Sequence, residues 1–440
     1  MKAIKHRLLY LAFIAFVLAS YFSILILIDS FKIPAILRLA PGQAMTLKVR
    51  YPLSFYGYGQ ISKTELPIQS KHNFSTTKLT LNTLAKGRSI VQLRLFGKIP
   101  VKEMQVEIVP SPQVIPGGQA IGVLFSNRGV VIVGLLPLRG MDQKQHFPSK
   151  EAGLHVGDVI LAINNIPVNR VDEVEIFLQN FKAEEKILIL TVKRFEKISS
   201  IQIQPILSNS PDQESPQRYR LGIYIEDPAA GVGTLSFYDP ATMRFAGLGH
   251  RIAEFAGKKE IVFRAGAIVL ASIQGIKPGS PGQPGEKIGV FHSEASIIGK
   301  IDKNCRFGIY GVLNNNFTDN PNMKPLSVAY SSEVQVGPAE IYTVIKGHEI
   351  GQYHVRIIKV FRQDNPRDKG MIIKVTDPIL LKETGGIIQG MSGSPIIQGG
   401  KLVGAVTHVF VNDPTKGYGV LAEWMINEMS SVIAVKIKAS

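Results

Sequence analysis

The 440-residue sequence lacks several things that would have pointed to particular chemistries. It has one cysteine, Cys305, so the chain alone supplies no disulfide framework, no cysteine-based zinc site and no iron–sulfur cluster. It has no block of five or six consecutive basic residues, which argues against a nucleic-acid-binding arm. Neither H-E-x-x-H nor G-x-x-x-x-G-K-[ST] occurs, and His348-Glu349 has no second histidine at the required spacing, so zinc-peptidase and nucleotide-hydrolase motifs are missing. No metal and no cofactor is expected.

What is present describes a folded, basic chain. Hydrophobic residues make up 45% and charged residues 19%, so the chain is not disordered. Its 50 Lys+Arg against 34 Asp+Glu give a net charge of +16, which favours anionic surfaces. The 41 Gly and 26 Pro are spread along it, the turn frequency of many short strands. The expected class is mainly β, with several domains at roughly 100–200 residues each.

Lys2, Lys5 and Arg7 precede an uncharged apolar run from Leu8 to Ile28 that Asp29 ends. Spanning a bilayer takes about 20 helical residues, and no small-x-small cleavage site follows. Residues 1–29 therefore read as a cytosolic tip and transmembrane signal anchor, with the rest translocated. Residues 30–110 alternate apolar and polar, as in Val91 to Leu95, and predict a β-rich spacer. Pro110, Pro112 and Pro116 mark its end. Residues 111–207 form the next unit, with a helix expected near Val171 to Phe181. The polar, Pro/Ser-rich stretch 208–218 reads as a linker. Residues 219–440 hold short strands and Gly/Pro turns up to a helix near Leu421 to Val432, the pattern of a β barrel or a pair of them.

Two stretches carry chemistry. In Gly390-Met391-Ser392-Gly393-Ser394-Pro395 the glycines permit a tight turn that exposes a hydroxyl. The N–H groups of Gly390 and Ser392 can then converge as an oxyanion hole. Ser392 is the better nucleophile than Ser394, because it carries one of the two donors itself. Serine needs a base. His250, in the Gly-rich turn Gly247-Leu248-Gly249-His250, and His408, close in sequence to Ser392, are the two candidates. A carboxylate should orient the imidazole. Asp377, in Val375-Thr376-Asp377-Pro378, follows an apolar strand, whereas Asp364, Asp368 and Asp413 sit in polar loops.

Two resemblances sharpen this reading. The run Ala152-Gly153-Leu154-His155-Val156-Gly157-Asp158-Val159-Ile160-Leu161-Ala162-Ile163-Asn164 resembles a PDZ domain. Such domains capture peptide or protein C-termini by strand addition at a sheet edge, and the carboxylate loop would be Ile121-Gly122-Val123. Gly247 to His250, Thr376 to Pro378, the run Gly385 to Ile397 and the run Gly404 to Pro414 resemble the stage IV sporulation protein B family of serine peptidases. The resemblance implies a chymotrypsin-like double β-barrel peptidase with His250, Asp377 and Ser392 as its triad, His408 being a family feature. It also implies a protein of the forespore inner membrane that faces the intermembrane space and is soluble there after self-cleavage. Its target would be the regulatory subunit of the mother-cell intramembrane protease complex that processes pro-sigma-K. Two other readings stand beside this one: a non-catalytic, anchored PDZ docking protein, and an extracytoplasmic quality-control protease.

Overall fold

The computed structural model describes residues 2–58, 69–72, 76–82, 86–125, 129–194, 197–208, 218–226, 229–252, 266–290, 297–315, 317, 323–363 and 365–438. Most of the expected linker, 209–217, lies outside them. The class is mainly β, as the density of turns and short alternating runs predicts.

The predicted anchor is one helix, Lys2–Phe31. Among the described residues no helix is long and apolar enough to cross a membrane. The end of the helix is tied to the spacer. Buried Asp29 accepts from the backbone N, Nε and an Nη of Arg50 and from Lys32 Nζ, at 2.9–3.0 Å. The spacer stacks two sheets. One has the order Ile36–Leu39, Ile99–Ile108, Gly87–Leu95, Leu53–Tyr58; the other runs Ala44–Arg50, Thr76–Asn82, Gln69–His72. Leu37, Leu79, Leu93, Met104 and Val106 form its core. Arg38 joins it to the C-terminal part by pairing with both Glu107 and Glu423 at 2.9 Å.

Two closed six-stranded rings make up most of the remainder. In the first, Arg244–Gly247, Gly308–Leu313, Ile297–Cys305, Gly266–Leu270, Ala120–Phe125 and Ala229–Asp239 pair in turn, and the last pairs back to the first. In the second the order is Lys401–Val409, Pro395–Gln398, Gly337–Val344, Ile350–Val360, Met371–Val375 and Lys416–Leu421, again closed. Strands Gln113–Pro116 and Leu326–Val328 bridge the rings. Closure removes the open edges that an all-antiparallel sheet otherwise exposes. Alternation fills the interiors: in Ile350–Val360, Tyr353, Val355 and Ile357 point inward while His354 and Arg356 point out. Each fully buried aliphatic side chain contributes about 1.5–3 kcal/mol. The helix Ala422–Lys438 covers the second ring with Trp424 and Met425.

The first ring departs from the expected boundaries. Strand Ala120–Phe125 is a stave of this barrel and not part of a PDZ unit. Ile121 pairs with Gly233 on one side and Leu270 on the other, and Gly122 and Val123 also lie within the ladder. Ile121 and Val123 are buried in the barrel core. With both edges occupied, Ile121-Gly122-Val123 cannot accept an added strand or cradle a carboxylate, and that assignment is corrected. The unit that carries the Ala152–Asn164 run is instead an insertion, beginning after Phe125 and returning before Ala229, and Leu124 pairs with Ala229 at its two ends. Its sheet has the order Lys197–Ile203, Leu188–Arg194, Val159–Ile163, Val130–Leu135, Ile223–Glu226, with helix Val171–Gln179 nearby. The Gly157-Asp158 pair of the motif has a structural role. Asp158 is buried, which disfavours its charge, but the Arg194 guanidinium at 2.7 Å and the His155 N–H outweigh burial and hold its pKa below the ordinary value.

Candidate active site

Ser392 stands in the turn between helix Pro378–Thr384 and strand Pro395–Gln398. Gly390 and Gly393 adopt φ of 91° and 97°, which side chains rarely tolerate. Space also forbids a side chain at Gly393: a Cβ there would lie 2.1 Å from Thr234 O and 2.5 Å from Leu248 N. The turn is clamped from the first barrel. Thr234 N–H donates to Ser392 O at 2.9 Å and Thr234 Oγ1 donates to Gly390 O at 2.7 Å. Among the described residues, the N–H groups of Gly390 and Ser392 donate to nothing within the chain, whereas those of Met391, Gly393 and Ser394 are all engaged. The two amides singled out from the sequence are thus the two left over. Ser394 is fully buried and its hydroxyl has no partner, so it is not reachable as a nucleophile.

His250 follows strand Arg244–Gly247 through two left-handed residues, Leu248 at φ 67° and Gly249 at φ 66°. For Leu248 that conformation costs about 1 kcal/mol or more, which packing of its buried side chain in the first-barrel core offsets. The half-buried ring places Nδ1 2.8 Å from Arg251 O. A carbonyl only accepts, so Nδ1 carries the proton and Nε2 is the bare nitrogen, the tautomer of a general base. Burial lowers the pKa of His250, against the opposing influences of the Arg251 carbonyl and the Asp368 charge. The imidazole is therefore neutral at neutral pH.

His408 lies beside it, ring centroids 4.9 Å apart. Its pKa is also lowered, by burial and then by the neighbouring His250. The residue before it, Thr407, accepts the Ser392 hydroxyl at 2.7 Å. The turn at Leu248 and the Ser392 turn are in contact, and His250 and Ser392 converge on the Thr407-His408 segment, but Ser392 Oγ is turned to a carbonyl and makes no hydrogen bond to an imidazole.

Asp377 is not part of this cluster. Its Oδ1 accepts from Ile379 and Leu380 N–H at 3.0 Å, and its Oδ2 from His354 N–H at 3.3 Å. It is the N-cap of helix Pro378–Thr384, and no hydrogen bond or ion pair joins it to His250. The signal was in the sequence: Asp followed directly by Pro is the mark of a helix start. The carboxylate whose charge reaches both imidazoles is Asp368, before strand Met371–Val375. The sequence reading left Asp368 among solvated loop residues, and nothing in its local pattern distinguishes it.

A second concave site lies in the inserted unit. Among the described residues, strand Ile223–Glu226 pairs on one side only, with Val130–Leu135. A cleft separates it from helix Val171–Gln179, lined by Val174, Leu178, Leu221, Ile223 and Ile225. Leu221-Gly222-Ile223 opens this strand, with Gly222 at φ 69°.

Residues 217–426 match the family model described as SpoIVB peptidase S55. The match begins inside the insertion, ahead of its strand Ile223–Glu226, and the barrel strands Gln113–Pro116 and Ala120–Phe125 lie upstream of it. No curated protein matches the chain.

Proposed function

We propose that the chain is an endopeptidase in which Ser392 is the nucleophile and His250 the base, a reading that the match of residues 217–426 to the SpoIVB peptidases supports. The observation that carries this reading is the pair of unused amides, Gly390 and Ser392, flanking a hydroxyl in a turn held by Thr234. The Ser392 hydroxyl leaves Thr407 O, a rotation between staggered χ1 wells, and turns toward Nε2 of His250. Oγ attacks the peptide carbonyl while Nε2 takes its proton. The tetrahedral oxyanion is held by the two amides, each worth about 10²–10³ in rate. The imidazolium then protonates the leaving amine, and water, deprotonated by the same Nε2, releases the acyl group. The Arg251 carbonyl fixes the tautomer, and Asp368 supplies negative charge near the imidazolium.

The finer reading concerns what is cut and where. The basic flank and apolar run at the N-terminus support an anchored enzyme, and the family match supports a role in sporulation. We assign it self-cleavage on the C-terminal side of the anchor and cleavage of the regulatory subunit of an intramembrane protease complex, in the space between forespore and mother cell. The inserted unit is the PDZ module of this reading. Its peptide site is the one-sided strand Ile223–Glu226, with Leu221-Gly222-Ile223 as the carboxylate loop in place of Ile121-Gly122-Val123.

Ser392→Ala tests the reading. The variant loses one hydrogen bond to Thr407, about 1 kcal/mol, and is expected to stay folded. It should lose labelling by a serine-reactive phosphonate and any self-cleavage seen by gel. Labelling or cleavage that persists in Ser392→Ala removes Ser392 as the nucleophile, and a wild type that neither labels nor cleaves leaves the non-catalytic docking protein.

A further inference from the structure

We propose that Lys287 is a positioning residue for the oxyanion donor at Gly390: it holds the Gln389–Gly390 peptide in place, and charge on its amine releases that hold. The inference rests on the peptidase reading above. Lys287 lies in strand Glu286–Val290, which forms a hairpin with Ser272–Lys277. Its backbone N–H donates to Gln389 O at 3.0 Å. In a trans peptide the C=O and the following N–H point in opposite directions. Fixing Gln389 O toward the hairpin therefore aims the Gly390 N–H away from it, leaving it free for a substrate oxygen.

The side chain completes the hold. A Cβ at Gly390 would lie 3.0 Å from Cδ and 3.1 Å from Cβ and Cγ of Lys287, so the methylene stem lies directly over Gly390. The stem ends in a buried hydrogen bond, Nζ to Thr343 Oγ1 at 2.8 Å, with Thr343 itself fully buried. Among the described residues no carboxylate pairs with the amine. The charged groups on the elements packed against it are engaged elsewhere: Lys277 and Glu286 with each other at 3.7 Å, Glu340 with His354 at 4.0 Å, and Asp239 with Thr242. Burial alone brings the Lys287 pKa down to about 7. The neutral amine donates to Thr343 at no electrostatic cost. The ammonium is stranded, and the route to water lifts the stem off Gly390.

The test uses the full chain with Lys287→Ala and Lys287→Met, the second keeping an unbranched stem without the amine. Turnover of an activated peptide ester and the rate of phosphonate labelling at Ser392 are measured against pH. Lys287→Ala is expected to lower kcat and the labelling rate together by about 10–100-fold, less than outright loss of a donor, with KM within about twofold. Lys287→Met should restore most of that loss. On the acid side, log(kcat/KM) should fall with a slope approaching two in the wild type, from His250 and Lys287, and with a slope of one in Lys287→Met. A merely structural lysine would lower thermal stability and leave kcat per labelled site and both slopes alone. Lys287→Ala as fast as wild type, or equal slopes in wild type and Lys287→Met, overturns the proposal. A wild type that never labels overturns the peptidase reading instead.

Discussion

Replacing Asp377 separates two roles that a carboxylate can play in this fold. Asp377→Ala strips the cap from helix Pro378–Thr384, and the cost can be read from the two amides it serves. Ile379 is 61% exposed, so its N–H finds water, whereas Leu380 is fully buried and its N–H is left unpaired. An unsatisfied buried donor costs about 1–3 kcal/mol, in line with N-cap replacements of about 0.5–2 kcal/mol. Asp377→Asn behaves differently. Its Oδ1 still accepts both helix amides, and only the weaker 3.3 Å bond from His354 N–H faces a donor instead of an acceptor. The loss should be under about 1 kcal/mol. Denaturant melts measure both costs, and turnover per phosphonate-labelled site measures activity. A capping residue gives a clear stability loss for Ala, a small one for Asn, and activity of the folded Asn variant within about threefold of wild type. An orienting carboxylate of a serine peptidase gives a loss of about 10⁴ in kcat on amide substitution, through the wrong imidazole tautomer. A loss of that size in Asp377→Asn, with the melt unchanged, refutes the reasoning and means that Asp377 reaches His250 in the working enzyme.

Further outcomes follow from the same geometry. Because burial lowers the His250 pKa, its base form persists to lower pH; in the Lys287→Met background, the acid limb of kcat/KM should have its midpoint below the ordinary imidazole value of 6.5, and a midpoint above it contradicts the assignment. Gly393→Ala should abolish soluble expression or labelling, since its Cβ would stand 2.1 Å from Thr234 O; normal folding and activity would show that the turn is not clamped as described. Leu178→Asp places a charge in the cleft beside strand Ile223–Glu226 and should weaken capture of a fluorescent peptide with a free apolar C-terminus by about tenfold or more, whereas the same peptide amidated at its C-terminus should bind poorly to either form.

Local patterns carried the fold further than the site. The alternation in Val91 to Leu95 and the Gly-rich turn at Gly390 to Ser394 are short-range features, and both appear in the structure where the sequence put them. The insertion is not short-range. Leu124 and Ala229 are neighbours in the barrel although about a hundred residues separate them, and no window of sequence reports that pairing. The same limit explains the misplaced loop. Ile121-Gly122-Val123 and Leu221-Gly222-Ile223 have nearly the same side-chain character, and only the number of paired edges tells a barrel stave from an open one. Asp377 was read for its charge when the proline after it spoke for a helix start, and Asp368 gains its relevance solely from the field its charge exerts at two imidazoles remote from it in sequence.

An insertion that departs and rejoins at adjacent, hydrogen-bonded positions makes no demand on the route of the chain through its host. The inserted unit can be exchanged for another, or replaced by a short hairpin turn, without re-threading the barrels. What the inserted unit does and what the barrels do are therefore separable traits, open to independent change by evolution or by engineering.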